Sequence, residues 1–190
     1  MSRAWVRELV SMALAIGLGA GAVAWTVRLD WNPYRDHQPV DVTEVRAGDS
    51  GTLGASELTV TATELVDGAS ERGQRLEVDE DATLVVVTLD VVPRLESKEP
   101  QPCTLRLVDP RADSDLEETR WDTAGFSDTS YSPPDRFESY CGDATEPYTL
   151  QVTYVVPSEV ASHVELEVTD LELIPRALRM ELGDDAAPAS

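Results

Sequence analysis

The sequence predicts an all-β domain, an antiparallel sandwich, standing behind one N-terminal transmembrane helix. Three observations predict it. Short β-branched runs of alternating polarity recur along the chain, the connections between them are polar and carry prolines, and an uncharged stretch of 19 residues, Leu9–Val27, precedes them all.

That first stretch, LVSMALAIGLGAGAVAWTV, reaches about 28 Å as a helix at about 1.5 Å per residue, close to the ~30 Å of a bilayer core. Arg3 and Arg7 precede it, while the basic and acidic residues that follow cancel, so the positive-inside rule puts the N-terminus in the cytoplasm and the rest outside. Trp5 on one flank and Trp25, Trp31 and Tyr34 on the other sit where aromatic belts meet the two interfaces. A retained anchor is the favoured reading. The competing one is a cleaved signal peptide, because Ala22-Val23-Ala24 fits the small-x-small rule. Ala13, Gly17 and Gly21 recur every four residues, a stripe that would let the helices of two copies approach closely.

Residues 30–50 are polar, carry prolines and read as an extracytoplasmic stalk, with a short piece around Val42–Arg46 that could add an edge strand. The sandwich is expected over residues 51–182. LTVTAT, from Leu58, puts Leu58, Val60 and Ala62 on one face and threonines on the other; TLVVVTLDVV, from Thr83, is a stronger run and reads as a central strand. CTLRLVD from Cys103, YTLQVTYVV from Tyr148 and HVELEVTDLEL from His163 complete five strands, and Arg136–Cys141 could add another edge. No segment from 36 to 183 holds a helical period over three turns, and LIPRALRMEL alone is ambiguous. The last eight residues, GDDAAPAS, read as a disordered tail. The connection from Asp109 to Ser139 is unusually long and reads as a large loop, or a loop with a short edge strand, whose Trp121 reaches the rim of the core.

The order of a polar stalk, GTLGASELTVTATELV, LVVVTLDVV, LRLVDP and LQVTYVVPSEVASHVELEVTD resembles the secreted immunoglobulin-like antigens of mycobacteria and the related telomere-factor-like domains of unknown function in Gram-positive envelopes. The resemblance covers about residues 50–175. It implies an immunoglobulin-like sandwich whose penultimate strand ends in a Val-Pro turn, as at Val156-Pro157, before a last strand closes the fold. It implies no catalytic motif. This chain departs from many such proteins in its inserted loop, its cysteine pair and the lack of a lipid-attachment cysteine. Arg outnumbers Lys fourteen to one, a composition typical of GC-rich bacterial genomes.

Two motif matches invite a different reading. WDTAG at 121–125 copies a strand end of Ras-like GTPases, and Gly68–Arg75 copies the outline of a phosphate-binding loop. The residues that do the chemistry are missing, because Gln74 and Arg75 stand where a Lys and a Ser or Thr must reach phosphate and Mg²⁺. A nucleotide switch is excluded on that ground. GDSG at 48–51 resembles the nucleophile segment of trypsin-like proteases, yet only the stalk precedes Ser50 and could supply neither triad partner in that order. His163, at a predicted strand start, reads as a surface residue.

Cys103 and Cys141 are the only thiols, and beyond the membrane an even count favours a structural disulfide over a metal or redox pair. Asp113, Asp115, Glu117 and Glu118 could offer oxygens to Ca²⁺ but lack the glycine-spaced loop that makes such a site specific, so a solvated acidic loop is favoured. No cofactor is expected. With 36 acidic against 15 basic residues and a formal charge of −21, nucleic acid is not expected as a partner. The expectation is a non-enzymatic, single-pass, membrane-anchored module that binds a protein of the cell envelope. The alternative is a secreted antigen-like protein holding a ligand or Ca²⁺.

Overall fold

The computed structural model describes residues 39, 41–93, 103–111, 120–125, 128–139, 141, 146–170 and 172–183. The predicted membrane span with Ala13, Gly17 and Gly21 lies outside these residues, as do Asp113, Asp115, Glu117 and Glu118 and nearly all of the predicted tail. Among the described residues no helix is long and apolar enough to cross a membrane.

The described residues form two sheets. β1 (Asp41–Val45), β5 (Cys103–Val108), β6 (Arg120–Asp122), β8 (Glu165–Asp170) and β9 (Arg176–Glu181) make one, in the order β1-β9-β8-β5-β6. β2 (Ser50–Leu53), β3 (Ser56–Asp67), β4 (Ala82–Pro93) and β7 (Tyr148–Pro157) make the other, in the order β2-β3-β4-β7. Every pairing is antiparallel except β1 with β9, which run parallel from Asp41 opposite Arg176 to Val45 opposite Met180.

Alternation along each strand decides what is buried. Leu105 and Leu107 of β5, Leu166 and Val168 of β8, and Leu178 and Met180 of β9 meet Val85, Val87 and Leu89 of β4 and Leu150, Val152 and Tyr154 of β7 in one apolar cluster between the sheets. β4 is apolar on its other face too. There Leu84 and Val86 join Val66, Val78 and Ala82 in a second cluster, against which Leu76, Tyr131 and Val155 pack. This explains why TLVVVTLDVV reads as an unbroken run: both faces of the strand are covered.

The cover on that second face is the turn after β3. Ser70 caps α1 (Glu71–Arg75), a single helical turn, by accepting from the Gly73 N–H at 3.0 Å. The sequence predicts no helix here, since five residues carry no periodic signal. A β-carbon on Gly68 would overlap the Asp79 carbonyl oxygen, and one on Gly73 the Asp67 carbonyl oxygen. The two glycines that outline a phosphate loop are therefore explained by backbone close approach.

The edge strand offered by the sequence around Val42–Arg46 is present as β1, at the margin of its sheet, so the sheet takes in chain before residue 51. Two other segments differ from their sequence reading. LIPRALRMEL supplies β9, an interior strand between β1 and β8, and the run from His163 breaks at Asp170 into a turn that feeds it. Among the described residues, Arg136–Cys141 adds no strand, only the single parallel bridge from Glu138 to Leu150.

Candidate functional site

β7 is the last strand of its sheet, so one row of its backbone groups would face solvent and invite pairing with another chain. Two pieces of the long β6–β7 connection cover that edge. Residue Ala124 donates its N–H to the Thr153 carbonyl at 2.7 Å. Further along, Glu138 donates to the Thr149 carbonyl at 3.0 Å and accepts from the Gln151 N–H at 2.8 Å. Between these fastenings lies a cleft of about 210 Å³. Thr123, Ala124 and Gly125 form one wall, Tyr131, Pro133 and Ser139 line it as well, and Gln151, Val152 and Thr153 of β7 form its floor.

Each wall is fixed by local chemistry. The Gly125 N–H donates to the Asp128 carboxylate at 2.7 Å while the Asp128 N–H donates to the Gly125 carbonyl at 3.0 Å, closing a small reciprocal turn after β6. Thr129 Oγ1 and the Ser130 N–H both donate to the Leu76 carbonyl at 2.9 Å, which satisfies an orphan acceptor at the end of α1. Ser130 also hydrogen-bonds the Glu77 carboxylate. These contacts deliver Tyr131. Its hydroxyl donates to Gln151 Oε1 at 2.8 Å, and Gln151 Nε2 donates to Thr88 Oγ1 at 3.0 Å, so the phenol and the amide lock each other's orientation. Burial, reinforced by the Glu64 carboxylate and opposed by Arg72, holds the Tyr131 phenol above its ordinary pKa, so it stays a neutral donor.

The predicted disulfide is present between Cys103 and Cys141, with Cα atoms 5.5 Å apart. It ties the first residue of β5 to a point two residues beyond Ser139, and both cysteines pack against the main core. The bridge thereby holds the chain just past one wall of the cleft. WDTAG divides its duties. Trp121, on the short edge strand β6, rests half-buried on the core rim as expected, Asp122 pairs with Arg106 at 2.7 Å, and Thr123–Gly125 turn into the cleft wall. The wall is legible only in the structure, because nothing in the sequence indicates which edge a loop will cover.

The other singled-out residues stay apart from the cleft. Ser50 Oγ shares a hydrogen bond with Thr59 Oγ1 at 2.8 Å across the β2–β3 pair. His163 is exposed in the turn before β8, with its Nδ1 2.8 Å from the hydroxyl of its neighbour Ser162. A serine paired with a histidine needs a carboxylate to orient the imidazole. The nearby Asp109 is committed to Arg111, whose guanidinium bonds both its oxygens at 3.0 and 2.9 Å and holds its pKa below the ordinary value.

The arrangement can bind. It offers fixed donors and acceptors with an aromatic ring on a rigid edge, and among the described residues it places no nucleophile beside a base at the cleft. No family model, curated protein or solved structure matches the chain.

Proposed function

We propose that this chain is a non-enzymatic binding module of a bacterial cell envelope, an immunoglobulin-like sandwich carried outside the membrane by residues 1–29, that recognises a protein partner. The strand pairing supports the fold part of this reading. β3-β4-β7 on one sheet and β9-β8-β5 on the other follow the A-B-E and G-F-C order of immunoglobulin-type sandwiches. The observation that carries the functional part is the fastening of the β6–β7 connection. Loops that bind are held on a scaffold that does not move, and here Ala124, Thr129, Tyr131 and Glu138 are each bonded to a sheet edge, a helix end or a sheet face.

Charge supports a basic partner. Setting aside Arg3, Arg7, Arg28 and Glu8 leaves 12 basic and 35 acidic residues from Leu29 onward, a formal charge of −23. Such a field raises association rates with basic surfaces more than final affinity, and acts only over about 8 Å at physiological salt.

A photo-crosslinking residue at Arg136, in the fastened connection, and one at Glu57, on β3, test the reading in native membranes. The Arg136 position should capture one envelope protein, less of it as salt rises from about 50 to about 500 mM, and the Glu57 position should not. Turnover of any substrate that is lost on changing one side chain would overturn the non-enzymatic assignment. An intact mass beginning at Trp25 would replace the anchored protein by a secreted one.

A further inference from the structure

We infer that the Cys103–Cys141 disulfide is a redox latch on the cover of the β7 edge: oxidised, it holds residues 132–139 against the strand, and reduced by a dithiol it lets them go. The latch goes beyond the protein-partner reading and is independent of it.

The connection is held in two different ways along its length. Its first part is anchored from within the fold. Thr129 is buried, its hydroxyl and the Ser130 N–H both donate to the Leu76 carbonyl, and the Tyr131 hydroxyl donates to Gln151. None of these contacts passes through the disulfide. Its second part has no such anchor. From Ser132 to Ser139 no side chain is buried, so removal of apolar surface from water holds this stretch only weakly. The Phe137 N–H donates to the Pro134 carbonyl, and the Arg136 guanidinium lies 4.7 Å over the Phe137 ring, but both contacts are internal to the stretch.

Among the described residues, the hydrogen bonds that carry this stretch to the sheet are the pair made by the Glu138 backbone, to Thr149 and from Gln151, at 3.0 and 2.8 Å. Each is a small net gain once exchange with water is counted, and together they fall short of the entropy lost in ordering residues 132–139. Cys141 supplies what is missing. It ties the far end of the stretch to Cys103, at the start of β5 in the other sheet, with Cα atoms 5.5 Å apart. With Tyr131 fixed at one end and Cys141 at the other, closing Glu138 onto the strand costs little further freedom.

Both cysteines are partly exposed, so a small dithiol can reach the bridge. One thiolate of the dithiol attacks a bridge sulfur and forms a mixed disulfide, and its second thiol then displaces the protein sulfur. Two electrons and two protons pass to Cys103 and Cys141, which become thiols, and the dithiol leaves as its cyclic disulfide. The opened stretch uncovers the Gln151 N–H and the Thr149 carbonyl, on a strand whose 10 residues carry no charge. Unpaired backbone groups on such a strand are what folded proteins keep covered, so the redox state decides whether this edge is protected.

Amide hydrogen exchange, read residue by residue on the full-length protein in detergent and well below its melting temperature, tests the latch with dithiothreitol as the reductant. On reduction the Glu138 and Gln151 amides should exchange at least about tenfold faster. Three other amides should stay within about twofold: Ala124, bonded to Thr153; Ser130, bonded to Leu76; and Val152, whose N–H faces β4. Reoxidation should restore protection, and the double variant Cys103→Ser/Cys141→Ser should show the reduced pattern without dithiothreitol and no change with it. Unchanged exchange at Gln151 on reduction, or a protected Gln151 in the double variant, would mean that the stretch holds itself and would overturn the latch. Acceleration at all five amides would overturn it as well, by making the bridge a support of the whole sandwich, and so would a Gln151 amide already unprotected in the oxidised protein.

Discussion

Glu167 accepts a hydrogen bond from Arg179 at 3.3 Å on the outer face of the five-stranded sheet, and it is only 2% exposed. The pair belongs to a row that crosses all five strands in register. Glu44 stands opposite Arg179, Arg179 opposite Glu167, Glu167 opposite Arg106, and Arg106 opposite Asp122, so the charges alternate from edge to edge. Arg120 reaches Glu167 from the side at 3.4 Å.

Removing Glu167 takes away the buried carboxylate that both Arg179 and Arg120 reach, while Arg179 keeps Glu44 and Glu165 at 3.8 Å. Breaking a buried ion pair costs about 3–5 kcal/mol. Arg179 and Arg120 keep 19% and 21% of their side-chain surface, so solvent screens part of the loss. Glu167→Ala should lower stability by about 2–3 kcal/mol, read as a shift in the denaturant midpoint at constant m. A shift equivalent to less than about 0.5 kcal/mol would reduce the row to ordinary surface pairs.

Glu165 lies beside this row and works against it at neutral pH. Burial first, then the carboxylate of Glu44, raises its pKa, with Arg179 opposing and Glu181 adding a further increase. A carboxyl whose folded-state pKa exceeds its unfolded value binds its proton more tightly when folded. Its contribution is full below the unfolded pKa and falls as pH rises through the folded pKa. Glu165→Gln should therefore raise the melting temperature at pH 7 by about 1–3 °C and make no difference at pH 4. An equal effect at both values would mean that charge is not the cause.

The glycines of the α1 turn give a backbone test. Gly68→Ala and Gly73→Ala each drive a methyl group into a carbonyl oxygen, Asp79 and Asp67 respectively, so each should destabilise by at least about 2 kcal/mol. Gly48→Ala meets no neighbouring atom, though its φ of +80° carries a strain of about 1 kcal/mol. The three unfolding midpoints should separate in that order.

Tyr154 is fully buried, burial pushes its phenol far up, and among the described residues its hydroxyl has no hydrogen-bond partner. An unsatisfied buried hydroxyl costs about 1–3 kcal/mol. Tyr154→Phe should leave the packing intact and stabilise the domain by about 1 kcal/mol. A loss of stability would reveal a bond to that oxygen.

The disulfide spans 38 residues of sequence, for which chain entropy gives about 4 kcal/mol as an upper figure. Cys103→Ser should lower the melting temperature by up to about 10 °C.

Strands covered on both faces, or alternating cleanly, are the ones visible in the sequence. β4 and β7 are anchored by unbroken β-branched runs that mark their bounds closely. β9 carries no such mark, because Ala177, Leu178, Arg179, Met180 and Glu181 are good helix formers, and only pairing with β8 and β1 on its two sides makes them a strand. β1 is short and sits in a polar neighbourhood, so the sequence marks it only as a short edge around Val42–Arg46. The cleft could not be read at all. Tyr131, Gln151 and Thr153 meet because backbone groups of Ala124 and Glu138 find the β7 edge, and backbone pairing leaves no mark on residue choice.

The parallel run of β1 beside β9 has a mechanical meaning. The chain enters β1 at Asp41 and leaves β9 at Glu181. Tension between those two points drags neighbouring parallel strands in opposite directions along their own axes, so their evenly spaced hydrogen bonds are loaded together in shear and are not peeled apart one by one. A pull on the domain therefore meets its stiffest resistance at the point where force first enters the fold.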